Sequence, residues 1–185
     1  MAKHIIEESK RCLQCKVPLC RDRGCPVQTE IPSMIKMLLE DRIKDAGEML
    51  FLNNPLSVIC GLICPVEKFC EGNCVLAKKG NPIQISSIEH YISHYNLGRI
   101  ENRTKKDINK KVAIIGSGPA GITVAVILAF KGYDITIFEA EDKIGGIMRF
   151  GIPDYRLPKY LLDRYREILI QIGVRIRPNT LIGPV

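Results

Sequence analysis

The chain begins without the apolar run that an export signal needs: in MAKHIIEESKRC the charged residues Lys3, Glu7, Glu8, Lys10 and Arg11 leave no apolar region. Export is therefore not expected, a cytoplasmic location is, and a disulfide framework becomes a poor explanation for the cysteines. Histidine is scarce, with three residues in 185. His90 and His94 share a helix face at i, i+4, but neither they nor His4 have a third ligand nearby, so all three read as surface or satisfied side chains. No internal repeat appears beyond two cysteine runs, and there is no low-complexity tract. Aromatic residues are missing from the basic stretch Arg99 to Lys111, which holds Arg99, Arg103, Lys105, Lys106, Lys110 and Lys111. Without stacking residues this stretch reads as a solvated linker, and nucleic acid is not an expected partner despite a formal charge of +7. Charge is absent from Val112 to Phe130. That run approaches the length of a bilayer span, but glycines and a proline interrupt it, so no membrane span is expected.

No cysteine follows residue 74, and all eight lie within the first 74 residues. The first run is C-x2-C-x4-C-x4-C-P, made by Cys12, Cys15, Cys20 and Cys25. The second is C-x3-C-P-x4-C-x3-C, made by Cys60, Cys64, Cys70 and Cys74. Soft thiolates at such spacing select iron–sulfur clusters or zinc. In bacterial two-cluster ferredoxins a Cys-Pro pair closes the ligand run, and its cysteine serves the other cluster. Two 4Fe-4S clusters with interleaved ligands are thus the leading expectation. A zinc-stabilised helical interaction domain fused to a nucleotide-binding fold is the alternative.

Apolar periodicity predicts helices over the same region. Ile31, Met34, Ile35, Leu38 and Leu39 form one stripe, with Pro32 in its first turn. Ile43, Ala46, Met49 and Leu50 form a second, stopped by Asn53-Asn54-Pro55. Ile88, Tyr91, Ile92 and Tyr95 form a third, closed by Gly98. Beyond the linker, Lys111 to Ile115, Asp134 to Phe138 and Val174 to Ile176 read as strands, and Pro119 to Lys131 and Leu157 to Ile172 as helices. This alternation is that of a parallel nucleotide-binding unit. The expected organisation is a helical domain over residues 1–98, a linker over 99–110, and a partial βαβ domain over 111–185.

In VAIIGSGPAG, Gly116, Gly118 and Gly121 spell G-x-G-x-x-G between a strand and a helix. Gly116 suits the tight turn, Gly118 the approach of a pyrophosphate, and Gly121 close packing of helix on strand. Pro119 and Ala120 open the helix, whose first amides and dipole favour phosphate. Glu139 ends the second strand 18 residues after Gly121, where a carboxylate can accept from a ribose hydroxyl. The motif does not separate FAD from NAD.

Taken with the cysteine pattern, GSGPAG, FEAEDKIGG and FGIPDYRLPK resemble the glutamate synthase small-subunit family, across essentially the whole chain. Its module is shared with dihydropyrimidine dehydrogenase and related FAD/iron–sulfur oxidoreductases. The resemblance implies an all-helical two-cluster ferredoxin-like domain followed by the first half of a Rossmann-type FAD-binding domain. It implies FAD at Gly116, Gly118, Pro119, Ala120, Gly121, Glu139, Gly146 and Arg156. It implies one 4Fe-4S cluster on Cys12, Cys15, Cys20 and Cys74, and another on Cys25, Cys64, Cys70 and Glu89, leaving Cys60 a spare thiol. Ser86-x-x-Glu89 is equally a capping box, and Cys60 is the alternative fourth ligand. Many members of the family have three residues, not four, between the cysteines that match Cys20 and Cys25. The family takes hydride from NAD(P)H onto FAD and passes electrons through clusters to a large catalytic subunit or other redox partner. With one nucleotide motif, and an end at NTLIGPV inside the sheet pattern, these residues are expected to be an N-terminal fragment, inactive alone. No catalytic acid, base or nucleophile is identified.

Overall fold

The computed structural model describes residues 2–100, 108 and 110–183. Most of the basic stretch, including Arg103, Lys105 and Lys106, lies outside the described residues. The chain divides into two compact units, Met1–Arg99 and Ile100–Val185.

The first unit is helical. Its helices are α1 (Ala2–Lys10), α2 (Ile31–Leu39), α3 (Ile43–Asn53), α4 (Ser57–Ile63) and α5 (Ile85–Leu97), with a short π turn at Cys20–Gly24 and a 3-10 turn at Val75–Lys79. Pro32 stands in the first turn of α2, where its missing N–H costs nothing. Asn54 ends α3 in an extended conformation. Helix α5 packs against α3 and α4, and α2 against α3 and α1. Met34, Ile35, Ile88 and Ile92 are fully buried, as their helical spacing requires, and they centre the core. Cys12, Cys20, Cys25 and Cys74 pack against that same core.

Three local expectations are revised. Helix α5 begins at Ile85, not Ile88. Gly98 closes it in the right-handed region (φ −81°), so no left-handed glycine cap forms. Helices α1 and α4 had no counterpart in the periodicity reading, since both are short and α4 overlaps a ligand run.

The second unit is a three-stranded parallel sheet in the order β1 (Lys111–Ile115), β2 (Asp134–Phe138), β3 (Arg175–Arg177). Val112 pairs with Ile135, and Ile137 with Ile176. Helix α6 (Pro119–Phe130) covers β1 and β2 and meets α8 (Tyr160–Gln171), which packs on β3. A single turn, α7 (Ile147–Phe150), precedes α8. Helix α8 starts three residues later than its apolar pattern suggests, because Leu157 precedes Pro158 and is held out of helix.

Among the described residues no single helix is long and apolar enough to cross a membrane. Helices α3 and α4 reach that length only together, and they meet at 86°.

Candidate iron–sulfur and nucleotide sites

The order of the helices folds the two cysteine runs onto one another. Cys12, Cys15, Cys20 and Cys74 line one cavity, whose other walls include Ile31, Ile35, Ile83 and Ile85. Cys20 sits in the electrostatic field of Cys74, Cys12 and Cys15. Burial first, and then these neighbouring thiols, push it up to about 11. Cys12 is raised for the same reasons.

Cys25, Cys60, Cys64, Cys70 and Glu89 lie within electrostatic reach of one another: Cys64 senses Cys60, Glu89, Cys70 and Cys25, Cys70 senses Glu89 and Cys25, and Glu89 senses Cys60. Gly24 explains how the first run reaches the second. A Cβ there would stand 2.9 Å from the Cys70 Cα and 2.9 Å from the Phe69 carbonyl oxygen. The four residues between Cys20 and Cys25 are absorbed by the π turn, which takes up more residues per turn than an α-helix. Burial pushes Cys70 up to about 12, with Glu71, Glu89 and Cys25 adding to it.

Glu89 lies on α5, 9% exposed, and accepts no hydrogen bond from any described residue. Burial, and secondarily Cys60, raise its carboxyl to about 8. The capping box is not formed. Ser86 is inside the helix, and its amide and hydroxyl both donate to Glu71 Oε1, at 2.9 and 2.7 Å. Glu71 thus satisfies the α5 N-terminus, a role that the local sequence assigned to Glu89. Cys60 receives a hydrogen bond from Asn54 Nδ2 at 3.2 Å.

A zinc ion gathers thiolates at about 2.3 Å from one point. A cluster spreads its ligands over separate irons, and four thiols around one apolar-walled cavity suit that demand. The buried Glu89 carboxyl lies in the field of Cys60, and Cys64 and Cys70 feel its charge. The histidines stand apart: His90 Nδ1 bonds the Val58 carbonyl (3.1 Å) and His4 Nε2 the Gln84 side chain (3.3 Å).

In the second unit the chain turns at Gly116 with φ +85°. A Cβ at Gly116 or Gly118 would meet nothing within 4 Å, so both face open space that a phosphate group can fill. A Cβ at Gly121 would lie 2.1 Å from the Gly116 carbonyl oxygen, so α6 reaches the loop only with glycine there. Pro119 and Ala120 are exposed at the start of α6. Gly146, at φ +48°, lies against Gly118, with its missing Cβ 3.0 Å from the Gly118 Cα. The FEAEDKIGG segment therefore folds back onto the glycine loop. Arg156 is exposed on the turn after α7, where its amide donates to Pro153 O (3.0 Å).

Glu139 is more occupied than its motif suggests. The Ser117 amide donates to its Oε2 at 2.8 Å, the Ser117 hydroxyl donates to the same oxygen, and the Glu141 amide donates to Oε1 at 3.0 Å. Burial opposes its charge, but the bonds from Glu141, Ser117 and Ala140 outweigh burial and hold the carboxyl below its usual range. Ser117 was not singled out by the motif, since its position is an x in G-x-G-x-x-G.

A helical unit with a cysteine-lined cavity and four further cysteines, followed along the chain by a Rossmann-like unit with an open glycine loop, defines a redox-cofactor protein class. The chain belongs to the family described as dihydropyrimidine dehydrogenase domain II, 4Fe-4S cluster, which matches residues 1–100. Residues 114–165 match an NAD(P)-binding Rossmann-like domain. The chain is 36% identical over 181 residues to the glutamate synthase [NADPH] small chain of Azospirillum brasilense, covering 96% of this chain and 37% of that one. The small chain of Escherichia coli is 38% identical, over 95% of this chain and 38% of its own. The NAD-dependent dihydropyrimidine dehydrogenase subunit PreT of Salmonella typhimurium is 36% identical, over 96% and 43%. The chain thus spans about two-fifths of the length of these relatives.

Proposed function

We propose that this chain is the electron-transfer module of an NAD(P)H-dependent flavin and iron–sulfur oxidoreductase of glutamate synthase small-subunit type. The observation that carries it is the cavity lined by Cys12, Cys15 and Cys20 of the first run with Cys74 of the second, beside which the remaining thiols lie near the buried Glu89 carboxyl. When bound, two 4Fe-4S clusters supply one-electron transfer, and FAD exchanges the two electrons of a hydride for single electrons. Cys12, Cys15, Cys20 and Cys74 hold one cluster, and Cys25, Cys64, Cys70 and Glu89 the other. The apolar walls of the first cavity limit water around it. Gly116, Gly118 and the amides that open α6 cradle a pyrophosphate, and Glu139 accepts from a ribose hydroxyl while pinning Ser117. The whole protein takes electrons from NAD(P)H in the cytoplasm and delivers them to a larger catalytic subunit or another redox partner, with the remaining length of the relatives supplying the rest of the FAD site and the NAD(P)H site.

Metal analysis tests this. Protein purified and reconstituted anaerobically should carry about eight irons and eight labile sulfides, the sum for two 4Fe-4S clusters. Stoichiometric zinc without sulfide would instead establish the zinc-stabilised interaction domain.

A further inference from the structure

Two short segments carry the four thiols of the first cavity: CLQCKVPLC at residues 12–20 and CVLAKK at residues 74–79. Neither holds an acidic residue, and together they hold Lys16, Lys78 and Lys79. All three lysines are exposed, and among the described residues none takes part in an ion pair. Lys10, Arg11 and Arg21, on either side of the first segment, are by contrast tied to Glu7, Glu8 and Glu30. The first segment also exposes Leu13 (61%) and Val17 (66%). Leu13 lines the cavity as well, so one side chain separates the thiols from solvent there. Single exposed apolar residues are ordinary. Here, however, the loop that bears them is held in place. Pro18 is buried, its carbonyl accepts from the Arg21 and Asp22 amides (both 2.9 Å), and the chain passes Gln14 at φ +48°, which side chains other than glycine rarely adopt. A fixed loop that leaves apolar side chains in water, beside unpaired lysines, has the composition of a docking face.

We propose that these two segments form the docking face for a redox protein whose own contact surface is acidic around an apolar centre, so that electrons leave the cluster on Cys12, Cys15, Cys20 and Cys74 past Leu13. This rests on the cluster reading above. Each encounter moves one electron: the reduced cluster loses it, the one-electron centre of the partner gains it, and no bond forms or breaks. Electron transfer falls steeply with distance, so a partner must approach where the cover is thin, and at Leu13 it is one side chain deep. The partner must also leave again. A small apolar centre gives such a transient contact, and the lysines speed its formation by steering an acidic face toward it. Four thiolates outweigh the positive charge of an oxidised cluster core and by themselves repel an acidic protein. The three lysines, in solvent, set the opposite sign at the surface that a partner meets first. Nucleic acid is the other polyanion, but neither segment contains an aromatic residue for bases to stack on.

The probes are plastocyanin, a one-copper acceptor with an acidic face beside an apolar one, and cytochrome c, a basic haem acceptor. The anaerobically reconstituted 185-residue protein is reduced with dithionite, freed of the excess, and mixed with each in stopped flow. It should reduce plastocyanin faster at low than at high ionic strength, and cytochrome c with the reverse dependence. The triple variant Lys16→Glu, Lys78→Glu, Lys79→Glu should keep full iron and sulfide. It should reduce plastocyanin at least about tenfold more slowly at low ionic strength and match the unmutated protein at high. The same charge change at exposed sites of the second unit, Lys131→Glu, Lys143→Glu, Arg166→Glu, should alter the rate by less than about twofold. Val17→Ser should slow plastocyanin reduction at every ionic strength and leave its salt dependence intact. An equal fall in the second-unit variant overturns the proposal, because net charge alone then sets the rate. So does a triple variant whose reduction potential moves while its salt dependence does not, because the lysines then only offset the charge of the cluster. If the triple variant loses iron, Lys16→Gln and Lys78→Gln take its place, and unchanged rates in both overturn the proposal. A dimer of the unmutated protein that Val17→Ser dissolves, or duplex DNA binding lost in the triple variant, assigns the face to a second copy or to nucleic acid and overturns it too. Full iron with salt-independent rates in the unmutated protein refutes the docking face alone. Absence of iron and sulfide refutes the cluster reading with it.

Discussion

Replacing Glu139 with alanine should destabilise the second unit even with no nucleotide present. The carboxylate accepts from the Ser117 amide (2.8 Å), the Ser117 hydroxyl and the Glu141 amide (3.0 Å). Hydrogen bonds to a charged acceptor contribute about 1.5–3 kcal/mol each. They do not add fully here, because the Glu141 amide can turn to water and the Ser117 hydroxyl can rotate. The Ser117 amide cannot, since Ser117 is 0% exposed. Its unmet N–H, with a fraction of the other two bonds, places the loss at about 2–4 kcal/mol. That is a large share of the ~5–15 kcal/mol that holds a typical domain. With a urea dependence of about 1–3 kcal/mol per molar, the midpoint for the second unit should fall by on the order of 1–2 M. Hydrogen exchange of peptides from β1, β2 and α6 in the full chain, measured against urea, isolates that unit. Glu139→Gln should lose less, since its amide keeps one acceptor oxygen but sets an N–H against a donor. The effect depends on pH with a definite sign. The folded carboxyl is held below its unfolded value, so its contribution is complete above about pH 4.3 and disappears as pH falls through the folded value. Wild type and both variants should therefore converge in stability in acid. If Glu139→Ala matches wild type within about 0.5 kcal/mol at neutral pH, the carboxylate does not hold the loop, and only a ribose contact remains for it.

Further outcomes follow from single contacts. Gly121→Ala places a carbon 2.1 Å from the Gly116 carbonyl oxygen; it should abolish dinucleotide binding in the full-length protein, and flavin retention after gel filtration reads it. Glu71→Ala leaves the Ser86 amide at the mouth of α5 without its acceptor and should cost about 1–2 kcal/mol, seen as lower thermal stability of the helical unit. An equal loss in Ser86→Ala but none in Glu71→Ala would contradict the cap. Glu89→Ala should halve the iron, from about eight to about four, with the cluster on Cys12, Cys15, Cys20 and Cys74 preserved in the electron paramagnetic resonance spectrum. Full iron in that variant would return the fourth ligand to Cys60.

Much of this protein was legible before folding was considered, for physical reasons tied to short range. Thiol chemistry depends on residue type, so eight cysteines in two close runs announced soft-metal ligation by themselves. The buried faces of α2 and α3 follow from a period of 3.6 residues, and the glycine loop from the steric demands of one strand–turn–helix. The partners across the chain were not local properties. Cys25 meets Cys70, and Cys74 joins Cys12, because α2 to α4 turn the chain back on itself and Gly24 allows contact without a side chain between. Ser86-x-x-Glu89 has the letters of a capping box, yet Glu71, fifteen residues earlier, takes the Ser86 donors and leaves Glu89 facing the thiols. Glu139 was visible as a strand-end acid, but its grip on Ser117 spans 22 residues and exists only once β1 and β2 lie in parallel register. Sequence carried the chemistry of each group, and the tertiary structure decided which groups meet, because a hydrogen bond or a shared cavity is won by whichever partner the fold brings close.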